Sequence, residues 1–125
     1  MAGQVVELSG CRLWLCAADG PALAAERDAV DILGEALGAG IEWVVIPVAR
    51  LAPAFLDLKT RLAGEALQKF VTYGRRVVIL GDVSEAVAAS DALRDFVRES
   101  NRGRHVWFAQ DLAELKGRLN RGPSA

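Results

Sequence analysis

A chain of 125 residues with 52% hydrophobic side chains is one ordinary domain with apolar mass for a single core, which excludes intrinsic disorder. Fifteen Lys+Arg against sixteen Asp+Glu leave a formal net charge of −1, so no global basic field exists and nucleic acid is not expected as a partner. No apolar run approaches the ~18 residues of a membrane span, and the opening MAGQVVELSG lacks the regions of a secretory signal; no membrane and a cytoplasmic location are expected.

Residues 5–8 and 12–16 are short β-rich runs split by Ser9-Gly10, a hairpin signal. In the second run Leu13 and Leu15 share one face, and Arg12, Trp14 and Cys16 share the other. Cys11 and Cys16 point to opposite faces, and the strand between them spans roughly 16–17 Å. A disulfide needs Cα atoms within about 7 Å, so the two read as small core residues that do not bridge. His105 is the one histidine, so no zinc ligand set is present; no metal and no other cofactor is expected.

Asp19-Gly20-Pro21 marks a loop over 17–23. A helix is predicted over 25–37, with Val30, Leu33 and Leu37 inward, Ala29 and Ala36 beside them, and Glu26, Arg27, Asp31 and Glu35 outside. Gly38 and Gly40 supply its stop. Residues 41–48, IEWVVIPV, read as a strand buried on both faces and ended by Pro47. A polar turn follows, and then a second helix carries the stripe Leu62, Ala66, Leu67, Phe70 and Val71. Glu65 and Lys69 are expected to pair at i, i+4 on its wet side. Arg76–Leu80 is another continuous apolar strand, ending at Gly81-Asp82. Residues 83–89 read as a loop or loose turn. Ser90 is the expected N-cap of a helix over 91–99 with Leu93, Phe96 and Val97 inward. A last strand over 104–108 and a helix over 111–119 with Leu112, Leu115 and Leu119 on one face complete the order ββαβαβαβα. Alternation of this kind implies an α/β domain with a mostly parallel sheet of about four or five strands, about four helices and one antiparallel edge. The ordered core is expected over 2–119, with 120–125 as a frayed tail.

The blocks FLDLKTRLAGEALQKFVTYGRRVVILGD (55–82), LRDFVRESNRG (93–103) and RDAVDIL in the first helix resemble a bacterial family catalogued as domain of unknown function 4180. That label implies no activity. The element order is also similar, more distantly, to the STAS domain of sulfate transporters and anti-sigma factor antagonists. The resemblance implies a STAS-like sandwich and a regulatory role. It also implies a phosphorylatable Ser or Thr at the start of the second helix, in a D-S-S/T-G-L type motif. Thr60 of Lys59-Thr60-Arg61-Leu62 falls in that place. Leu58 stands where the motif has Asp, Asp57 lies one residue early, and Arg61 replaces the Gly.

The 57–61 turn places Asp57, Lys59, Thr60 and Arg61 at a helix start, where free N–H groups and the dipole favour an anion. The simpler role for Asp57 or Thr60 is to cap the helix, for about 1 kcal/mol. Asp82 and Ser84 follow a buried strand at its carboxyl end, where ligands bind in open parallel sheets, or Asp82 satisfies its own loop backbone. Asn101 or Gly103 suits a left-handed helix stop at the opposite end of the sheet. Arg98, Arg102 and Arg104 form a small basic spot there, fit for a partner's carboxylate. His105 has no catalytic neighbour in sequence, and Trp14, Trp43 and Trp107 read as core or edge cover. Walker A, G-x-G-x-x-G, G-x-S-x-G, C-x-x-C and H-E-x-x-H patterns are absent, so no catalytic residue is named and an enzyme is not the leading expectation.

The expectation is a non-enzymatic regulatory or protein-interaction module with a protein partner and a switch at Thr60. A second reading is a small-ligand or nucleotide-binding protein, and at most a weak enzyme, using Asp57, Thr60, Arg61 and Asp82. A third is a homodimer through an edge strand.

Overall fold

Ser9 and Gly10 take φ of 52° and 78°. Positive φ at both central residues is what a tight two-residue hairpin turn requires. The turn joins β1 (Gly3–Leu8) to β2 (Cys11–Cys16) in antiparallel register, with Leu8 opposite Cys11 and Gly3 opposite Cys16. The computed structural model describes residues 3–121. After the hairpin come α1 (Glu26–Ala39), β3 (Trp43–Pro47), three short 3-10 turns, α2 (Leu62–Thr72) and β4 (Arg76–Leu80). Then follow α3 (Ser84–Ala89), α4 (Asp91–Arg102), β5 (Val106–Ala109) and α5 (Leu112–Arg121).

The five strands lie in chain order, β1-β2-β3-β4-β5. The sheet is mixed: the hairpin is antiparallel, and β2–β3, β3–β4 and β4–β5 pair parallel. Alternation sorts the strand residues onto two faces. One face presents Trp14, Cys16, Val44, Ile46, Val77, Ile79 and Phe108 to α1 and α2, with Phe96 and Val97 of α4 packed against the same cluster. The other presents Leu13, Trp43, Val45, Val78, Trp107 and Ala109 to Leu115 and Leu119 of α5. The cysteines divide as their spacing requires: Cys16 is buried on the first face, Cys11 is half-buried on the second, and both are free.

Several local expectations are corrected. The core stripe of α1 is Ala29, Ile32, Leu33 and Ala36, while Val30 and Leu37 are 46% and 38% exposed. The helix is rotated by one position because its small alanines let it approach its neighbours closely. Lys69 pairs with Glu26 of α1 at 3.7 Å rather than with Glu65, because α1 and α2 pack side by side. Residues 84–89 form α3, not a loop. This helix buries no residue, so no apolar stripe announces it. Leu112 is exposed, and α5 turns only Leu115 and Leu119 inward. Gly103 is extended, with φ −88°, so α4 ends without a left-handed residue. Of the tail expected over 120–125, residues 120 and 121 close α5, and the others lie outside the described residues.

Candidate functional site

The long connection from β3 to α2 is built around Phe55, fully buried in a 3-10 turn spanning Pro53–Leu56. A second such turn, Leu58–Thr60, is opened by Asp57, whose Oδ1 accepts from the Lys59 N–H at 3.1 Å. Thr60 follows, exposed to solvent. Its Oγ1 lies 2.7 Å from the Ala54 carbonyl and 2.8 Å from the Asp57 carbonyl, so its single proton is shared between them. The same oxygen accepts from the Leu62 N–H at 3.2 Å, one residue ahead of the N-cap Arg61, whose own side chain makes no cap bond. Arg61, between turn and helix, is held left-handed at φ 64°. It lines a depression of about 430 Å³ with Leu58, Gly64, Glu65 and Phe96.

Asp82 sits at the carboxyl end of β4 and accepts from the Ser84 N–H at 2.8 Å. Hydrogen bonds from the Ser84 side chain and then its backbone hold the Asp82 carboxyl below the usual range. Gly81 before it has φ 143°, and a Cβ there would stand 2.7 Å from Val48 Cγ2, so only glycine turns the chain here. Asp82 and Ser84 line a depression of about 220 Å³ with Val97, Phe108, Gln110 and Glu114. The predicted residues thus divide between two places: Arg61 opens toward α4, and Asp82 with Ser84 opens toward β5 and α5.

Sequence reasoning missed a buried polar group at the carboxyl ends of β2 and β3. Arg50 is 3% exposed. Its Nε donates to the Pro21 carbonyl and an Nη to the Ala17 carbonyl at 2.9 Å, and it forms no ion pair among the described residues. With Asp28, Asp31 and Glu35 it lines a recess of about 290 Å³. Glu35 also accepts from the Trp14 indole N–H at 3.2 Å. Nothing in the run PVARLAP marks its arginine for burial.

Cys16 lies within reach of this group's field. Burial pushes its thiol from 9.0 up to about 12; Arg50 opposes the shift and Glu35 adds to it. The unfolded thiol therefore ionises first. The native state keeps its proton between pH 9.0 and about 12, so the stability contribution of Cys16 is complete below pH 9.0 and is lost as pH rises through that window. In urea titrations the wild-type midpoint should fall more steeply above pH 9.0 than that of Cys16→Ala. Parallel curves would remove this account.

A larger cavity of about 480 Å³ lies on the α5 side of the sheet, where Gln4, Leu15, Pro47 and Leu80 come together at the strand ends. Cys16 lines it as well, but none of Asp57, Lys59, Thr60, Arg61, Asp82 and Ser84 does. Asn101 is structural: its Oδ1 accepts from the Phe108 N–H at 2.8 Å and from Arg118 at 3.1 Å. All three tryptophans are buried, and Trp43 and Trp107 pack with ring centroids 5.0 Å apart. Among the described residues no helix is long and apolar enough to cross a membrane, and no group of three His, Cys, Asp or Glu is placed to hold a metal ion.

Comparison with known proteins returns a family model described as Domain of unknown function (DUF4180), matched over residues 9–119. No curated protein and no solved structure matches the chain.

Proposed function

The chain belongs to the DUF4180 family, whose description carries no activity, and from that premise we propose that it is a cytoplasmic, non-enzymatic regulatory module of STAS-like type. It captures a protein partner on the 57–61 turn and the outer side of α2, and the state of Thr60 sets the affinity.

One observation carries the reading. Arg61 stands where the STAS-type turn has glycine, and it holds the left-handed conformation that glycine adopts freely, at φ 64°. An arginine with a glycine-like backbone at the place of the resembled motif's glycine supports the reading. Immediately before it Thr60 is an exposed residue at the entrance of a helix, its hydroxyl bonded to the turn and to the Leu62 N–H.

The chemistry of a switch follows from the hydrogen bonds. Phosphorylation of Oγ1 removes the proton shared by the Ala54 and Asp57 carbonyls and sets a charged group beside both. The Leu62 N–H then has charged terminal phosphoryl oxygens to bond in place of Oγ1, at the positive end of the helix, with Lys59 and Arg61 adjacent in sequence. The 57–61 turn would be remodelled while α2 stays in place.

The test compares Thr60→Asp and Thr60→Ala by quantitative capture from an extract of the source cell. The two substitutions should change capture of the same partners in opposite directions. Thr60→Ala should also cost about 1 kcal/mol of stability from the lost hydroxyl hydrogen bonds, which a urea titration measures separately. Identical capture by wild type and both variants would defeat the reading.

A further inference from the structure

The amino ends of β4 and β5 form a second surface, away from the Thr60 turn. Parallel register sets Val77 opposite Val106, and the Val77 N–H donates to the His105 carbonyl at 2.9 Å. Arg76 and His105 are therefore neighbours across one strand spacing, with Arg75 and Arg104 one residue further back. Tyr73, 55% exposed, ends α2 just before Arg75, and Arg102 closes α4 just before Arg104.

The cations on this rim are only partly matched. Arg76 pairs with Glu42 at 3.2 Å and Arg102 with Glu99 at 3.1 Å. Arg75 and Arg104 form no ion pair among the described residues. Arg75 Nε is buried with no hydrogen-bond partner, and its Nη1 reaches only the Tyr73 carbonyl, at 3.4 Å. A buried guanidinium N–H without an acceptor is costly and rare. The dipole of α4 accounts for Arg102, which lies in its last turn. Arg75 and Arg104 lie outside the helices.

We infer that this rim docks an acidic peptide segment of a partner protein. Guanidinium forks match carboxylates in bidentate geometry, and the two pairs already present show that carboxylates seat among these arginines. Tyr73 supplies an aromatic anchor beside the charges. A nucleic-acid backbone suits the rim less well, because Glu42 and Glu99 stand in it and the whole chain is net negative.

The test uses the full chain and a short fluorescein-labelled peptide of aspartate and glutamate around one phenylalanine, read by fluorescence anisotropy. Binding should weaken as salt is added, and Arg75→Glu with Arg104→Glu should weaken it by about tenfold or more. Arg104→Ser, a change at an exposed position, should weaken it by about threefold and keeps the test open if the double variant does not fold. Thr60→Ala should leave peptide binding unchanged, which separates this rim from the Thr60 turn. Equal affinity for wild type and the arginine variants overturns the proposal. So do an absence of peptide binding at low salt and tighter binding of a single-stranded RNA oligomer.

Discussion

Arg50→Met should lower the unfolding free energy by about 3 kcal/mol, read from urea titration at neutral pH. The guanidinium joins two separate segments. It donates to the Ala17 and Pro21 carbonyls of the loop between β2 and α1, while its own backbone belongs to the segment after β3. Main-chain bonds run the same way: the Leu23 N–H donates to the Arg50 carbonyl at 2.6 Å, and the Ala52 N–H to the Leu23 carbonyl at 3.2 Å. A Cβ on Gly20 would stand 2.6 Å from Arg50 Nη1, so the loop lies directly on the guanidinium. Two effects oppose one another. Methionine relieves the desolvation of a cation that has no carboxylate partner, and burying hydrophobic atoms in its place is favourable. Against this, both carbonyls lose their donor in part-buried positions, at about 1–3 kcal/mol each, and the second effect is the larger. Arg50→Lys should recover only a fraction, since one ammonium does not span both carbonyls as a planar fork does. An unchanged midpoint for Arg50→Met would show that the loop holds without the staple.

Phe55→Ala should cost about 3–5 kcal/mol, the range for removing a fully buried aromatic ring. Phe55 is the buried residue of its turn in a connection otherwise half-buried or exposed, apart from Arg50. Beyond the Arg50 bonds and the bridge between Leu23 and Leu51, the connection is held by Val48, Leu51, Leu56 and Leu58 packing on the core around this ring. Loss of the ring should therefore free the turn that carries Thr60 before it unfolds the sheet. Trypsin reports this locally, because Lys59 and Arg61 are exposed on that turn. Cleavage at Lys59 or Arg61 should precede cleavage elsewhere in the variant and be slow in the wild type. Uniform digestion, or none, would refute the anchoring role.

The legible parts of the fold are those where one residue pattern has one structural solution. The run WVVIP has no polar position, so it must be covered on both faces, and β3 is. Ser90 accepts from the Leu93 N–H at 3.1 Å, as a serine ahead of an apolar stripe should. Ser9-Gly10 makes the hairpin for the same local reason. The elements that escaped depend on tertiary placement. The face of α1 is decided by which alanines touch neighbours, and alanine contributes little to an apolar count. α3 packs no buried residue.

The candidate site divides in the same way. Asp57, Thr60 and Asp82 each carry a local hydrogen bond that their residue types foretell. Whether Arg61 and Asp82 share a recess is set by α4 and α5, which come later in the chain. Arg50 was the least visible of all, since an arginine in a proline-bounded connection normally faces water.

Strands that sit beside their chain neighbours allow the sheet to assemble as the polypeptide leaves the ribosome. Each βα unit can dock on the one already made, with little delay from distant loop closure. The cover over Leu13, Trp43 and Trp107 is supplied by Leu115 and Leu119. That side of the nascent sheet therefore stays open until the final helix emerges. A chaperone that binds apolar β-surface would find this window during synthesis and lose it on release.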